Sequence, residues 1–445
     1  MTLESEIYNS PAKFFSIVLL AVSLVFSASG QARADSYDNV WMECHYITQC
    51  SMSEANVTVK NVPESAPGYG AINDWRIGNG AADSVDCGTE GIGMVGLLYG
   101  HHRLMAAGRS NSELDDKANA TCKAFFWDWI TNRNNQIQAA GETGFPASAS
   151  YDTSGSIRSI SGPSAGVTAQ LLIAMSKYRQ LSDLNDGARY GTAEYKLALE
   201  MGEYINHHVS SWTVDRSYAV ASFRALSHWA TAMGDASSSR LYSSRADAVS
   251  NELAQAQDLG PFKNYFNYLT HHGVGMYDGG NVDQTGFSPY EFNARPPREA
   301  YASEVANWWD HGKAGSGLYL TVQSGPYTGG VHQAVPKYAD RSYPGDSFQL
   351  ADTEWKIART SKQKGVLLKE AWSHYNFALS PLGSNIGSGC WTNVTTTDTF
   401  IGGFIDWVDD QGNRPANWQR YVDTSAYMIV ATEELVFSSE VDWSK

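Results

Sequence analysis

The sequence has few positive charges, few cysteines and only one long apolar run, and each shortage excludes a class of protein. Its 445 residues contain 32 Lys and Arg against 47 Asp and Glu, which gives a net charge of −15. No stretch is basic enough to hold nucleic acid or an anionic membrane, so we expect neither as a partner. Hydrophobic residues make up 42% of the chain, enough for one large domain or two ordinary ones.

The five cysteines are spaced too widely for a zinc ribbon, since no two of them are separated by two residues. In an exported chain an odd number leaves one cysteine unpaired. Cys44 could pair with Cys50, and Cys87 with Cys122, which would leave Cys390 single.

Sequence signals for a cofactor or a metal are also missing. The Gly- and Ser-rich loop at residues 154–164 lacks the lysine of a phosphate-binding loop and does not follow a strand. The segment from Asp278 to Asp283 superficially suggests calcium, but it lacks the spacing and the closing glutamate of an EF-hand. We therefore expect no cofactor and no metal.

The one long apolar run lies near the N-terminus, from Phe14 to Ala28, and is short for a membrane span. Ala32-Arg33-Ala34 follows it as a small-x-small cleavage site, so residues 1–34 are predicted to be a signal peptide removed before Asp35. Two acidic residues precede the run, which leaves an uncleaved anchor as the alternative. We expect a secreted or periplasmic protein that has no membrane contact after cleavage.

The segment from Trp212 to Asp235 defines the pattern of the chain. Its apolar residues recur at helical spacing, and its opposite side is small rather than charged, which is typical of a helix buried on more than one side. Asp215 stands where an N-cap is expected. The next segment, 237–256, has one apolar stripe and otherwise charged faces, so we expect it to cover the first.

The same alternation recurs along the chain. Buried helices are predicted at 91–108, 165–180, 216–233, 346–361 and 423–437, and cover helices at 114–132, 192–209, 237–256 and 366–378. Residues 35–80 show no long period and are predicted to be an irregular lead-in, with the main domain at 81–445. The pattern breaks from Leu259 to about Val331, where the aromatic content favours a functional loop region over disorder.

Chains with this alternation resemble the six-hairpin, (α/α)6-toroid carbohydrate enzymes, which include endoglucanases, unsaturated glucuronyl hydrolases and uronate lyases. The resemblance covers residues 80 to 437 and is architectural, because no local motif singles out one family. It implies an all-α toroid, incomplete or irregular in places, with long loop insertions and a carbohydrate substrate. An α-solenoid or a terpene-cyclase-like barrel shares the alternation, but the Asp-rich metal motifs of such cyclases are missing.

Acidic residues stand at the predicted starts of several buried helices, which converge at one end of a toroid. They are Asp86, Glu90, Asp215, Asp283, Glu291, Asp352, Glu354 and Asp423. Glycosyl hydrolysis needs two carboxyl groups, one to protonate the leaving oxygen and one to activate water or attack. The pattern therefore favours a glycoside hydrolase that acts on a poly- or oligosaccharide.

Asp215, Asp283 and Glu291 are the predicted catalytic residues, because aromatic rings beside the last two would raise the pKa of a carboxyl by desolvation. The predicted substrate-binding residues are Tyr290, Trp308, Trp309, Arg158 and His101. Two alternatives stay open at this point. A polysaccharide lyase would use a His, Tyr and Arg cluster at the same rim, and a secreted glycan-binding protein would use the aromatic residues alone.

Overall fold

The structure, a computed structural model, describes most of the chain outside the N-terminal segment and several loops. The described residues are 36–53, 62–73, 75–77, 80–81, 84–131, 139–181, 190–258, 265–266, 282–283, 287–298, 302–303, 306, 321–325, 327–332, 334–335, 340–379, 390, 402–409, 413 and 419–445. The predicted signal peptide therefore lies outside them.

Helices dominate the described part of the chain. They are α1 (36–49), α2 (Cys87–Ala106), α3 (Ser112–Lys123), a π-helix (Ala124–Trp129), α4 (Ala165–Gln180), α5 (Thr192–His208), α6 (Thr213–Ala232), α7 (Ala236–Ala256), α8 (Ser288–Glu291), α9 (Pro344–Ala358), α10 (Lys364–Ala378) and α11 (Val422–Leu435). None of the described helices is long and apolar enough to cross a membrane.

Six of the helices form a closed inner ring. Going round it, α2 packs on α4, α4 on α6, α6 on α8, α8 on α9, α9 on α11, and α11 returns to α2. Helices α3, α5, α7 and α10 each follow an inner helix and pack against it from outside. The α8 position holds only one helical turn, so the ring is irregular where the sequence pattern breaks. This is the predicted all-α (α/α)6 toroid.

The helix boundaries follow the periodicity of the sequence closely. Helix α4 begins and ends where predicted, and α6 begins three residues before the predicted start. The prediction for the lead-in was wrong in one respect, because residues 36–49 form α1. Val40, Cys44 and Ile47 recur there at helical spacing and are buried, but a single apolar stripe of this length is a weak signal beside the turn residues that follow.

Short strands lead directly into most of the inner helices. The pairs are β3 (Ser84–Asp86) before α2, β7 (Pro163–Ser164) before α4, β13 (Arg341–Tyr343) before α9, and β16 (Gln419–Tyr421) before α11. The remaining strands are β1 (Trp75–Ile77), β2 (Gly80–Ala81), β4 (Phe145–Pro146), β5 (Ser148–Tyr151), β6 (Ile157–Ile160), β8 (Gln257–Asp258), β9 (Tyr265–Phe266), β10 (Val282–Asp283), β11 (Val331–His332), β12 (Ala334–Val335), β14 (Phe404–Ile405) and β15 (Val408–Asp409). All the strand pairs among these are antiparallel.

Two of the small sheets lie at the N-terminal ends of α9 and α11. Strand β13 lies between β11 and β15, and β16 lies between β14 and β1. Because β14 and β15 are joined by only two residues, the two sheets meet beside the starts of these helices. The backbone where each of these two helices starts is therefore held by hydrogen bonds from neighbouring strands.

Glycines let α2 approach its neighbours closely. A β-carbon on Gly96 would lie 2.5 Å from the Cα atom of Ala426 in α11, and one on Gly100 would lie 2.6 Å from the Sγ atom of Cys44 in α1. Real β-carbons do not approach other atoms so closely, so these helices could not pack at this distance with larger residues. The glycines on this side of α2 therefore permit the close approach of α1 and α11.

The disulfides considered from the sequence do not form in this structure, where all five cysteines are buried thiols. Cys44 lies within α1 and Cys50 directly follows its last residue, so their side chains leave the backbone at different turns. Burial raises the pKa of Cys44 and of Cys122 well above the usual range, which keeps both thiols protonated and unreactive.

The contact between α2 and α11 predicts that Gly96→Ala destabilises the fold. Alanine is the better helix former by about 1 kcal/mol, but an added methyl group in a packed core costs about 1–3 kcal/mol. We expect a lower free energy of unfolding in urea. Gly365→Ala is the control, because Gly365 is also helical and a β-carbon there meets nothing within 4 Å. Equal stability of the two variants would contradict the assigned contact.

Candidate active site

A cavity of about 340 Å³ opens at the N-terminal ends of the inner helices. Every member of the ring contributes to its wall: Ile92 from α2; Ser164, Val167 and Gln170 at the start of α4; Trp212, Val214, Asp215 and Tyr218 at the start of α6; Phe287, Ser288, Glu291 and Phe292 around α8; Asp346 and Gln349 from α9; Asp423 and Tyr427 from α11. The volume is that of a small-ligand site. The predicted convergence of helix starts is thus present.

Three of the four carboxylates in this wall occupy equivalent places in their helices. Asp215 and Asp346 are the third residues of α6 and α9, and Asp423 is the second residue of α11. The partial positive charge at a helix N-terminus favours a carboxylate there by about 0.3–1 kcal/mol. The helix starts therefore hold three negative groups around one cavity.

Asp215 lies in the first turn of α6. The sequence analysis placed it at the N-cap, but the helix begins two residues earlier, at Thr213. The hydroxyl of Ser210 donates a 2.6 Å hydrogen bond to its Oδ2 atom. Burial raises the pKa of Asp215, and Ser210 and Arg216 oppose that shift. Its Oδ1 atom lies where a β-carbon on Gly166 would be, so only glycine at that position of α4 leaves room for the carboxylate.

Glu291 ends the single turn of α8 and is the most deeply buried carboxyl in the wall, at 1% exposure. Its Oε1 atom accepts a 3.0 Å hydrogen bond from the amide of Gln349, while its Oε2 atom has no hydrogen-bond partner among the described residues. Burial raises the pKa of Glu291 well above its usual range, and nearby Asp352 raises it further. The surroundings of Glu291 therefore favour its neutral, proton-bearing form.

Buried charges lie directly behind Glu291. The ammonium group of Lys356 donates to the backbone carbonyl of Glu291 at 2.5 Å and to Oδ2 of Asp352 at 3.0 Å, and it lies 3.8 Å from Oε1 of Glu434. Burial opposes the charge on Lys356, but Asp352 and Glu434 outweigh it and hold its pKa above the usual range. One cation cannot balance three buried carboxylates, which favours the protonated form of Glu291.

Two tyrosines join the two sides of the cavity. Tyr218 in α6 and Tyr427 in α11 both line the cavity, are buried and act on each other electrostatically. Glu291 and Asp423 act electrostatically on both rings, and burial together with these carboxyls raises both phenol pKa values well above the usual range. The pair therefore stays neutral and can donate or accept hydrogen bonds between the carboxyl groups.

The structure brings together two of the three predicted catalytic residues, Asp215 and Glu291. Asp283 is in β10, where its backbone pairs with Ala334 of β12, and its side chain lies outside the described residues. The hydroxyl groups of Ser217 in α6 and Ser288 in α8 are 3.5 Å apart, so they link the two helices that carry Asp215 and Glu291.

Three of the predicted substrate-binding residues, Tyr290, His101 and Arg158, do not line the described cavity. Tyr290 is fully buried behind it in an apolar cluster with Phe287. His101 is buried far along α2 and its Nε2 atom lies 2.9 Å from Asp115 of α3, and Arg158 is exposed on β6. Trp308 and Trp309 lie outside the described residues.

Asp346 was not among the predicted site residues. Pro344 indicates that a helix starts just before it, because proline favours the first position of a helix. Asp352 and Glu354, which were considered in its place, stand too deep in α9 to reach the cavity and are buried against Lys356 and His374. Asp423 was noted at a helix start and does line the cavity. Among the described residues, no group of three or more His, Cys, Asp and Glu side chains could hold a metal ion.

Comparison with known proteins gives matches at the level of structure. No family model and no curated protein matches the sequence. An endoglucanase from the termite Nasutitermes takasagoensis superimposes with a TM-score of 0.54 over 90% of this chain and 98% of that chain, at 11% identity. A glucoamylase from Saccharomycopsis fibuligera gives 0.54 over 90% and 94%, at 10% identity. A bacterial glucoamylase complexed with acarbose gives 0.51 over 81% and 50%, at 12% identity.

The chain has the (α/α)6 toroid fold of the six-hairpin glycosidases. The match spans nearly the whole length of the termite endoglucanase and of the Saccharomycopsis fibuligera glucoamylase. At this identity the likeness concerns the fold, and one fold can carry many chemistries. The activity of this toroid must therefore be argued from its own cavity.

The buried charge cluster predicts that Lys356→Met is strongly destabilising. Removal of one partner from a buried ion pair typically costs about 3–5 kcal/mol, because the remaining carboxylates lose their counter-charge. Lys369→Met on the exposed face of α10 is the matched control and should change the free energy of unfolding little. Urea denaturation measures both, and a small, equal effect in the two variants would refute the role assigned to Lys356.

Proposed function

We propose that this toroid is a glycoside hydrolase that cleaves a poly- or oligosaccharide of neutral sugars. The observation that carries the proposal is that Glu291, a buried carboxyl group whose pKa is raised, lines one cavity together with three aspartates. Glycosyl hydrolysis uses one carboxylic acid and one carboxylate on the two sides of the scissile bond. The named glucoamylases and the endoglucanase of the same fold support the choice of a carbohydrate.

Glu291 is assigned as the general acid and Asp215 as the carboxylate that activates water or attacks. Glu291 transfers its proton to the glycosidic oxygen as the bond to the anomeric carbon breaks, and the ionised Asp215 supports the incoming nucleophile. Asp346 and Asp423 are suited to accept hydrogen bonds from sugar hydroxyls, and the Tyr218–Tyr427 pair lies between the carboxyl groups.

The composition of the wall argues against the two alternatives. A uronate lyase needs a base and a cation or similar group to neutralise the substrate carboxyl, and the described wall of this cavity contains no His, Lys or Arg. A glycan-binding protein has no use for a carboxyl whose pKa is strongly raised by its surroundings. Glu291 therefore favours hydrolysis over both.

We expect Glu291→Gln and Asp215→Asn each to lower kcat by about 10²- to 10⁴-fold, the usual contribution of general acid–base catalysis. Both changes keep the size of the side chain and remove its proton transfer, so substrate binding should be largely retained. The rate is measured as release of reducing ends from neutral glycans, and binding by calorimetry.

Asp247→Asn is the control for these variants, since Asp247 is exposed on the cover helix α7 and the change is chemically the same. It should leave kcat and binding unaltered. Full activity in Glu291→Gln would rule out the assigned acid. An absorbing unsaturated product at 235 nm, in place of a simple reducing end, would show elimination and favour the lyase.

The two raised pKa values predict the pH profile. Glu291 acts in its protonated form, so activity should fall as pH rises through a pKa well above that of an ordinary glutamate. Asp215 acts in its ionised form, so activity should fall as pH drops through a pKa above that of an ordinary aspartate. The profile of kcat/KM measures both limbs, and Glu291→Gln should abolish the alkaline limb. An unchanged alkaline limb in that variant would contradict the assignment.

A further inference from the structure

A second cavity, of about 410 Å³, continues from the first. The two share four wall residues: Asp346, Gln349, Asp423 and Tyr427. The new part of the wall comes from the strands before α9 and α11 and from the turn between β14 and β15, through Arg341, Tyr343, Tyr421, Asp406 and Trp407. One ligand can therefore extend from the carboxyl groups of the first cavity into the second.

The wall of the second cavity is held in place by strand pairing. Arg341 is opposite Asp409 in the ladder between β13 and β15, and Phe404 is opposite Tyr421 in the ladder between β14 and β16. Asp406 and Trp407 form the two-residue connection between these ladders. Their side chains are thus presented by paired strands, which position a binding residue more firmly than a free loop does.

Trp407 carries a planar, amphipathic surface into this cavity. The guanidinium group of Arg341 lies 4.5 Å from the centre of the indole ring, and both side chains are half-buried. Flat ring surfaces of this kind pack against the apolar C–H face of a sugar, while neighbouring polar groups bind its hydroxyls. Asp406 and Tyr343, in the same wall, supply such groups.

The charge of Arg341 is partly offset by neighbouring groups. It interacts with the phenol of Tyr343 and electrostatically with Asp406, and its Nε atom lies 3.9 Å from Oδ1 of Asp340. Asp346 and Asp423 add negative charge where the two cavities meet. A uronate entering this cleft would meet a net excess of carboxyl groups, so the electrostatics favour an uncharged sugar.

We propose that the second cavity is a sugar-binding subsite in which the Trp407–Arg341 pair holds the neighbouring unit of a neutral oligosaccharide. This inference rests on the proposed function for the position of the scissile bond at Glu291. It identifies the substrate as a chain of at least two neutral sugars, with the unit next to the cleaved bond resting against Trp407.

The test compares Trp407→Ala with Trp407→Tyr on a series of neutral gluco-oligosaccharides from the disaccharide upward, and on a monoglycoside with a fluoride leaving group, which offers no second ring to Trp407. For the oligosaccharides, Trp407→Ala should lower kcat/KM about tenfold, whereas the monoglycoside should be affected little. Trp407→Tyr should restore most of the loss, since it keeps an aromatic face. Trp372→Ala is the control, because Trp372 is exposed on α10 and lines neither cavity.

Binding separates a failure of this inference from a failure of the proposed function. If no glycan is hydrolysed by any variant, calorimetry with the same oligosaccharides and with oligogalacturonides still measures the subsite. Weaker binding of neutral oligosaccharides by Trp407→Ala, with retained binding in Trp372→Ala, supports the subsite. Equal binding by wild type and Trp407→Ala, tighter binding of the oligogalacturonides, or an equal loss on the monoglycoside would each overturn it.

Discussion

Close contact between the inner helices is the constraint on which the rest of the structure depends. The distance between α2 and α11 is set by Gly96 against Ala426, and similar small residues allow the ring to close. Because the helices pack side by side with their first turns at one end, the ring fixes how far apart the residues of those turns lie. A wider ring would separate the carboxyl groups that now share one cavity.

The chemistry of the cavity comes from two opposing electrostatic effects. The N-terminal ends of α6, α9 and α11 favour negative charge, while burial disfavours it. At Asp215 neither effect dominates, because the hydroxyl group of Ser210 and the partial exposure of the side chain moderate the rise in pKa that burial causes. At Glu291 the one-turn helix offers little dipole, and complete burial beside Asp352 dominates. The pKa of Glu291 is thus raised more strongly than that of Asp215, and a difference of this kind is what the proposed acid and base roles need.

Glu291 lies in α8, at the irregular position of the inner ring. Where the other inner positions carry helices of fourteen to twenty residues, this one carries the four residues of α8. The turn is held by Lys356, which bonds the backbone carbonyl of Glu291 from the adjacent helix. A residue at the end of so short an element needs such outside support, and the same support supplies the buried charges that act on its pKa.

The sequence by itself determined the class of fold, the order of inner and cover helices, and three of the four carboxyl groups in the cavity. These features rest on periodicity within a segment and on the preference of acids for helix starts, both of which are local. Export and cleavage before Asp35 stay a prediction on the same kind of evidence. Only the tertiary structure decided that Asp346 lines the cavity while Asp352 lies behind it, and that Tyr290 faces the core. Six residues along one helix separate those aspartates, and which of them reaches the cavity depends on the rotation of α9 within the ring, set by packing partners that are distant in sequence.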